Sequence, residues 1–147
     1  MKKTVKLIAL MLALTALLSL CACASVNQEA AAAAGTYTYY ANILDDYYVD
    51  VPVFAGRTTI LTADGGGSLD WGDDNRGPIS EWTISGEKVV IKAGVAEMNA
   101  TLKDGVLTIE LSNDTVPMSA VFIKDGADTS SMPVITSEEY AAKLAQE

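Results

Sequence analysis

Apolar and polar residues alternate in short runs between residues 58 and 124, and this alternation constrains the fold more than any other feature. In residues 107–111, for example, Leu, Ile and Leu alternate with Thr and Glu. A period of two is that of a β-strand with one buried face and one solvated face. Asp64-Gly65 and Asp104-Gly105 lie between such runs, and Asp-Gly pairs favour tight hairpin turns.

The pattern predicts about eight or nine short strands with turns roughly every ten residues, which is typical of antiparallel sandwiches and barrels. Consecutive hairpins favour an up-and-down order, so we expect an all-β, small antiparallel up-and-down barrel of about eight strands. A barrel of that size is either filled by side chains or holds one small molecule, and the large inward residues favour a filled interior. The residues expected to point inward are Ile60, Leu69, Trp82, Ile84, Leu107, Ile109 and Phe122.

The first 22 residues differ from the rest of the chain. Lys2, Lys3 and Lys6 precede an uncharged, mostly apolar run over residues 7–20. That run is about 14 residues long, whereas a membrane-spanning helix needs about 20. A basic start followed by a short apolar run is typical of a secretory signal peptide, which we assign to residues 1–22.

The two cysteines of the chain lie at the end of this segment. Leu20-Cys21-Ala22-Cys23 fits the cleavage motif of bacterial lipoproteins, with Cys23 as the lipidated residue. Lipidation at Cys21 and plain secretion with cleavage after Ala24 are the two alternatives. A disulfide between Cys21 and Cys23 is unfavourable, because two cysteines so close in an extended chain are poorly oriented for the geometry of the bond. We therefore predict a lipid anchor at Cys23 that holds the protein on the extracytoplasmic face of the cell membrane.

The remainder divides into three parts. Residues 23–34 are the lipidated cysteine and an Ala-rich spacer, residues 35–126 form the barrel domain, and residues 127–147 form a loop and a short C-terminal helix. That helix is expected to start with a capping box, with Thr136 or Ser137 as its N-cap. Removal of residues 1–22 leaves seven basic residues against all 19 acidic ones, a formal net charge of −12. Such a charge disfavours nucleic acid as a partner.

Few residues carry recognisable chemistry. The chain has no His, so the commonest general base is missing, and we expect neither an enzyme nor a cofactor. The loop of residues 70–75, DWGDDN, contains three carboxylates, but its spacing does not fit a calcium loop, so we expect a solvated turn and no metal site. Aromatic residues are better candidates for a ligand-binding or surface-binding role, although each is also an ordinary core residue. These candidates are Tyr37, Tyr39, Trp71 and Trp82.

Residues 35–124 resemble a family of small lipocalin-like lipoproteins from gut Gram-positive bacteria of the Clostridia type. The residues that carry the resemblance are Gly35-x-Tyr37, Ile60-x-x-x-Asp64-Gly65-x-Gly67-x-Leu69, Trp82-x-Ile84-x-Gly86-x-x-Val89-x-Ile91, Leu102-Lys103-Asp104-Gly105-x-Leu107-Thr108-Ile109 and Phe122. The resemblance implies a small β-barrel attached to the cell envelope, without catalytic residues. The expected function is that of a membrane-anchored extracellular lipoprotein with a non-catalytic binding or interaction module. A carrier with a small apolar ligand inside the barrel and a structural envelope protein without a ligand are the alternatives.

Overall fold

A computed structural model describes residues 28–72, 76–111 and 118–146. Residues 28–33 are helical (α1), a short 3-10 helix spans Pro52–Phe54, and α2 spans Ser137–Leu144. The rest is dominated by β-strands, which confirms the predicted all-β barrel. The strands are β1 (Gly35–Leu44), β2 (Tyr47–Asp50), β3 (Thr58–Leu61), β4 (Gly67–Asp70), β5 (Arg76–Ile79), β6 (Glu81–Ser85), β7 (Lys88–Ala93), β8 (Ala96–Lys103), β9 (Val106–Glu110), β10 (Ser119–Lys124) and β11 (Val134–Thr136).

The strands follow one another around the barrel almost in chain order. The hydrogen-bonded order is β5-β4-β3-β1-β10-β9-β8-β7-β6, and all of these neighbours are antiparallel. The pairing of β1 with β10 joins the beginning of the barrel to its end. The predicted up-and-down order is therefore confirmed, with nine barrel strands instead of about eight and with β2 left outside the ring.

The barrel has a seam at β5 and β6, the two strands at the ends of the sheet order. They follow each other directly in the chain, with only Ser80 between them. β5 pairs with β4 on one side, whereas β6 pairs with β7 on the other side. Ser80 donates its backbone N–H to the Lys92 carbonyl on β7 at 2.9 Å, and Trp82 donates its N–H to the Gly65 carbonyl at 2.6 Å. β5 is thus paired along one edge only, and β6 is paired along one edge only. The wall of the barrel is therefore open beside β5 and again beside β6.

Side chains from all the barrel strands fill the interior, as the large inward residues had suggested. Six of the seven residues expected to point inward belong to this core or pack against it, and Ile60 does not. On β3 it is Thr59 and Leu61 that are buried, so the predicted alternation of this strand was wrong by one residue. The buried core residues are Ala33, Tyr37, Tyr39, Leu61, Ile79, Trp82, Val89, Ile91, Ala100, Leu107, Ile109, Ala120 and Phe122.

Helix α1 lies against the end of the barrel where β1 begins. Ala33 is buried in the core cluster, and Tyr37 donates its hydroxyl to the Ala33 carbonyl. Lys124, at the end of β10, donates its ammonium group to the Ala34 carbonyl at 2.7 Å. The segment expected to be a spacer, residues 23–34, is therefore in contact with the barrel over its described part.

The C-terminal segment packs on the outside of the barrel. β11 pairs in parallel with β2, which itself pairs with the second half of β1. The predicted capping box is present at the start of α2: Thr136 accepts from the Glu139 N–H at 3.1 Å, and Glu139 accepts from the Thr136 N–H at 2.8 Å. Ser137 donates its hydroxyl to the Asp50 carbonyl at 2.7 Å, which joins the helix to β2. In the described part of the chain, no helix has the length and apolar character needed to span a membrane.

Candidate ligand-binding cleft

The opening of the wall beside β5 forms a cleft of about 410 Å³ that is open to solvent. It lies between β5 and the hairpin of β7 and β8, at the end of the barrel remote from α1. Small and apolar residues make up most of its lining, because glycine and alanine leave space where a larger side chain would close the gap. The lining residues are Leu69, Trp71, Arg76, Gly77, Pro78, Ala93, Gly94, Ala96 and Met98.

Trp71 connects this cleft to the core. Its ring stacks on Phe122, with the centroids 5.5 Å apart and the planes inclined by 18°. Its indole N–H donates to the Thr59 hydroxyl at 3.0 Å. One face and one edge of the indole are thus fixed by buried residues, while the side chain remains half-buried and lines the cleft.

The backbone of β5 determines which hydrogen-bonding groups the cleft wall offers to a ligand. All four residues of β5 are in register with β4, and Pro78 lies opposite Ser68 but has no N–H to give to the ladder. Backbone groups alternate in direction along a strand, and the Ser80 N–H donates to the Lys92 carbonyl on β7. We therefore infer that the carbonyl of Pro78, two residues before Ser80, is directed to the same side, away from β4. This edge offers a hydrogen-bond acceptor at Pro78 without the donor that an added strand needs.

The charges at the mouth of the cleft are balanced. Arg76 is the charged residue of the described lining, and its Nε lies 2.7 Å from Asp70 Oδ1. Both side chains are about half exposed, so the pair contributes little to stability. Beside this mouth, Val95 at the tip of the β7–β8 hairpin is fully exposed. Among the residues that the structure describes, the cleft is therefore an apolar surface with a neutralised charge at its rim.

A second cleft of about 430 Å³ lies beside β6, at the end of the barrel that α1 covers. Its lining combines Ala30 of α1 and Trp82 with two carboxylates, Asp64 and Glu81. Asp64 accepts hydrogen bonds from the Thr62 hydroxyl and the Gly66 N–H, and these lower the pKa of its carboxyl. Glu81 forms an ion pair with Lys92 on the neighbouring strand at 2.8 Å. Both carboxylates are thus bonded to residues of the turn or hairpin in which they lie. This second cleft also lacks the uniform apolar lining of the first.

The four aromatic candidates from the sequence fall into different places. Tyr37 and Tyr39 are core residues, and Tyr39 accepts a hydrogen bond from the Val51 N–H at 3.3 Å. Burial raises the pKa of Tyr39 to about 12 and raises that of Tyr37 as well. Trp82 is buried and donates its indole N–H to the Thr62 carbonyl at 2.9 Å. Trp71 is the one of these four that lines the apolar cleft, so we do not assign the other three to this site.

Several predicted features lie outside the described residues. The signal peptide, Cys23 and the carboxylates of Asp73 and Asp74 are among them. Within the described ranges, no group of three or more His, Cys, Asp or Glu side chains is placed to hold a metal ion. The residues from Arg76 to Met98 that line the cleft were missed by the sequence analysis, because Gly77-Pro78 gave no strand signal. Their role depends on the seam, which brings β5 close to the β7–β8 hairpin.

Comparisons with protein families, with curated proteins and with solved structures find no match to this chain.

Proposed function

We propose that this chain is a lipid-anchored extracytoplasmic protein whose barrel binds a small apolar ligand in the cleft beside β5. The observation that carries the proposal is the cleft itself: an apolar, open site of about 410 Å³ beside a core of packed side chains. Ligand pockets usually measure about 300–1,000 Å³ and are lined mainly by apolar residues with few polar groups. The proposed role is binding without catalysis.

The position of α1 supports the same proposal. α1 contacts the end of the barrel where β1 begins and β10 ends, whereas the cleft lies at the opposite end. With acyl chains on Cys23, only a few residues before α1, the cleft would face away from the membrane. A ligand in the surrounding medium then reaches the mouth without crossing the lipid surface.

The anchor is tested by cell fractionation and acyl labelling. Cys23→Ala should abolish incorporation of a labelled fatty acid and move the protein from the membrane fraction into the soluble fraction. Cys21→Ala is the matched control, because Cys21 leaves with the signal peptide in this proposal and its replacement should change neither readout. Labelling that survives in Cys23→Ala and disappears in Cys21→Ala would move the anchor to Cys21.

Binding is tested on the Cys23→Ala protein purified without detergent. Native mass spectrometry should show an added mass that is lost in Gly77→Val, since a Cβ built at Gly77 has no neighbour within 4 Å and Gly77 lines the cleft, so that a larger side chain there takes up ligand space. Thr101→Val is the control, because Thr101 lies on an exposed strand position away from the cleft and valine suits a strand. An added mass that survives Gly77→Val would place the ligand elsewhere and contradict the proposed site.

A protein-binding surface is the second candidate, and one observation favours it. Exposed apolar residues occur on each of β2, β11 and α2, namely Tyr47, Val134 and Leu144. Exposed apolar patches on a soluble domain often mark interaction sites. If the purified protein carries no added mass and Val134→Lys weakens its association with the cell envelope, this surface is the functional one.

A further inference from the structure

The shape and chemistry of the cleft narrow the class of ligand further, on the assumption that the proposed function holds. We propose that the cleft beside β5 binds a neutral, planar, fused-ring aromatic molecule that stacks on Trp71 and donates a hydrogen bond to the Pro78 carbonyl.

Stacking is favoured because an aromatic stack already exists and ends at the cleft. Phe122 lies in the core, Trp71 stacks on it with an 18° inclination, and Trp71 lines the opening. The hydrogen bond to Thr59 keeps the indole from rotating about its own bond. A ring held in place before binding loses little conformational freedom on binding, which favours a flat partner over a flexible chain.

The walls favour a flat ligand as well. Gly77 on one side and Ala93, Gly94 and Ala96 on the other present almost no side-chain volume. Walls of this kind expose backbone and small side chains rather than knobs of branched ones. A planar ring system can lie against such walls with its faces in contact, and this favours a flat ligand.

The polar groups of the cleft indicate the charge and the hydrogen-bonding groups of the ligand. The Pro78 carbonyl accepts but Pro78 cannot donate, so a hydroxyl or N–H on the ligand has a partner there, whereas an extended peptide cannot form a continuous ladder. Arg76 is already paired with Asp70, and the formal charge from residue 23 onward is −12, so an anionic ligand gains little. These groups together favour a neutral ring with one donor.

The test compares two probes with the same carbon skeleton and hydroxyl position, 2-naphthol and its saturated analogue decahydro-2-naphthol. The two differ in planarity and aromaticity and also in the donor strength of the hydroxyl, so the Trp71 variants below are needed to isolate the stacking. Titration calorimetry on the full-length Cys23→Ala protein should show 2-naphthol binding roughly 3- to 10-fold more tightly, the range expected for one aromatic stack. Trp71→Leu should remove that difference, whereas Trp71→Phe should keep most of it. In the unmutated cleft, 2-naphthol should also shift the Met98 methyl resonance through its ring current, which needs no variant at all.

The outcomes separate the two proposals. If both probes bind equally and Gly77→Val abolishes both, the cleft is a ligand site but the aromatic class is wrong. If 2-naphthol binds with no shift at Met98 and with full affinity in Gly77→Val, the stacking proposal is overturned because the ring binds elsewhere. If neither probe binds, this inference is overturned, and the native mass spectrum of the Cys23→Ala protein decides separately whether the cleft binds another small apolar ligand.

Discussion

Trp71 donates its indole N–H to the hydroxyl of Thr59, a residue with no exposed surface, at 3.0 Å. Thr59→Val keeps the shape of the side chain and removes the acceptor. We expect the free energy of unfolding to fall by about 1 kcal/mol, as for the loss of one neutral hydrogen bond, and the emission of Trp71 to change. Urea denaturation followed by fluorescence measures both. Thr59→Ser keeps the acceptor, so the emission of Trp71 should stay as it is in the parent protein even though the lost methyl group costs some stability.

Two glycines on paired strands should respond in opposite ways to alanine. A Cβ at Gly67 would lie 2.0 Å from the carbonyl oxygen of Ile60, whereas a Cβ at Gly77 meets nothing within 4 Å. Gly67→Ala is expected to lower the free energy of unfolding by at least about 2 kcal/mol, because backbone has to move. Gly77→Ala should leave it unchanged or raise it by up to about 1 kcal/mol through the less flexible unfolded chain. Chemical denaturation of the two variants decides this, and equal losses would contradict the close approach at Gly67.

Stability should fall at high pH because of Tyr39. Burial, aided by the Asp50 carboxylate, raises the pKa of this hydroxyl from 10.0 to about 12, although the hydrogen bond from Val51 acts the other way. The folded state thus keeps a proton that the unfolded chain releases above pH 10. The free energy of unfolding should therefore decline between about pH 10 and pH 12, by up to about 1.4 kcal/mol per pH unit for this one group. Thermal melts of Tyr39→Phe over the same range should show a shallower decline, and an identical slope would exclude Tyr39 as the cause.

Asn42 is an unusual polar residue in the core region. It is buried on β1, its Nδ2 lies 3.3 Å from the sulfur of Met118, and its Oδ1 has no partner among the described residues. An unpaired buried carbonyl costs about 1–3 kcal/mol. Asn42→Leu keeps the branching at Cγ and removes both polar atoms, although leucine is larger, and should therefore raise the midpoint of urea unfolding. A lowered midpoint would contradict the cost assigned here to the unpaired Oδ1.

The contact of α1 with the barrel can be tested with two neighbouring alanines. Ala33 is buried in the core cluster, whereas Ala32 is exposed. Ala33→Asp should lower the free energy of unfolding by at least about 2 kcal/mol, because it buries a charge without a partner. Ala32→Asp should have an effect within about 0.5 kcal/mol, as is usual for a surface position. Equal effects in guanidinium denaturation would mean that α1 does not contribute to the domain.

The strands with regular alternation were predictable because their packing is nearly local. Asp104 and Gly105 have positive φ values of 50° and 80° in the turn between β8 and β9, as an Asp-Gly hairpin requires. The position of the cleft was not predictable, because it depends on the seam at β5 and β6. These two strands are consecutive in the chain, but no hydrogen-bonded ladder joins them. β5 itself was missed, since Pro78 usually argues against a strand. Ile60 was misplaced because Ile60 and Leu61 are both apolar, so the alternation allows either of them to point inward. Only the burial of Thr59, which lies on the same face as Leu61, decides between the two.

The pairing of β1 with β10 also sets the order in which the chain completes its fold. Tyr37 pairs with Lys124, so one edge of the first strand has no neighbour until nearly the whole domain has been made. Closing such a distant pair has a large entropic cost before any contact compensates for it, which makes the folding of this topology slow. Until β10 arrives, β1 is half of an unfinished sheet that can pair with the wrong strand or with another chain. β10, the last strand of the barrel ring in chain order, therefore protects β1 from such mispairing.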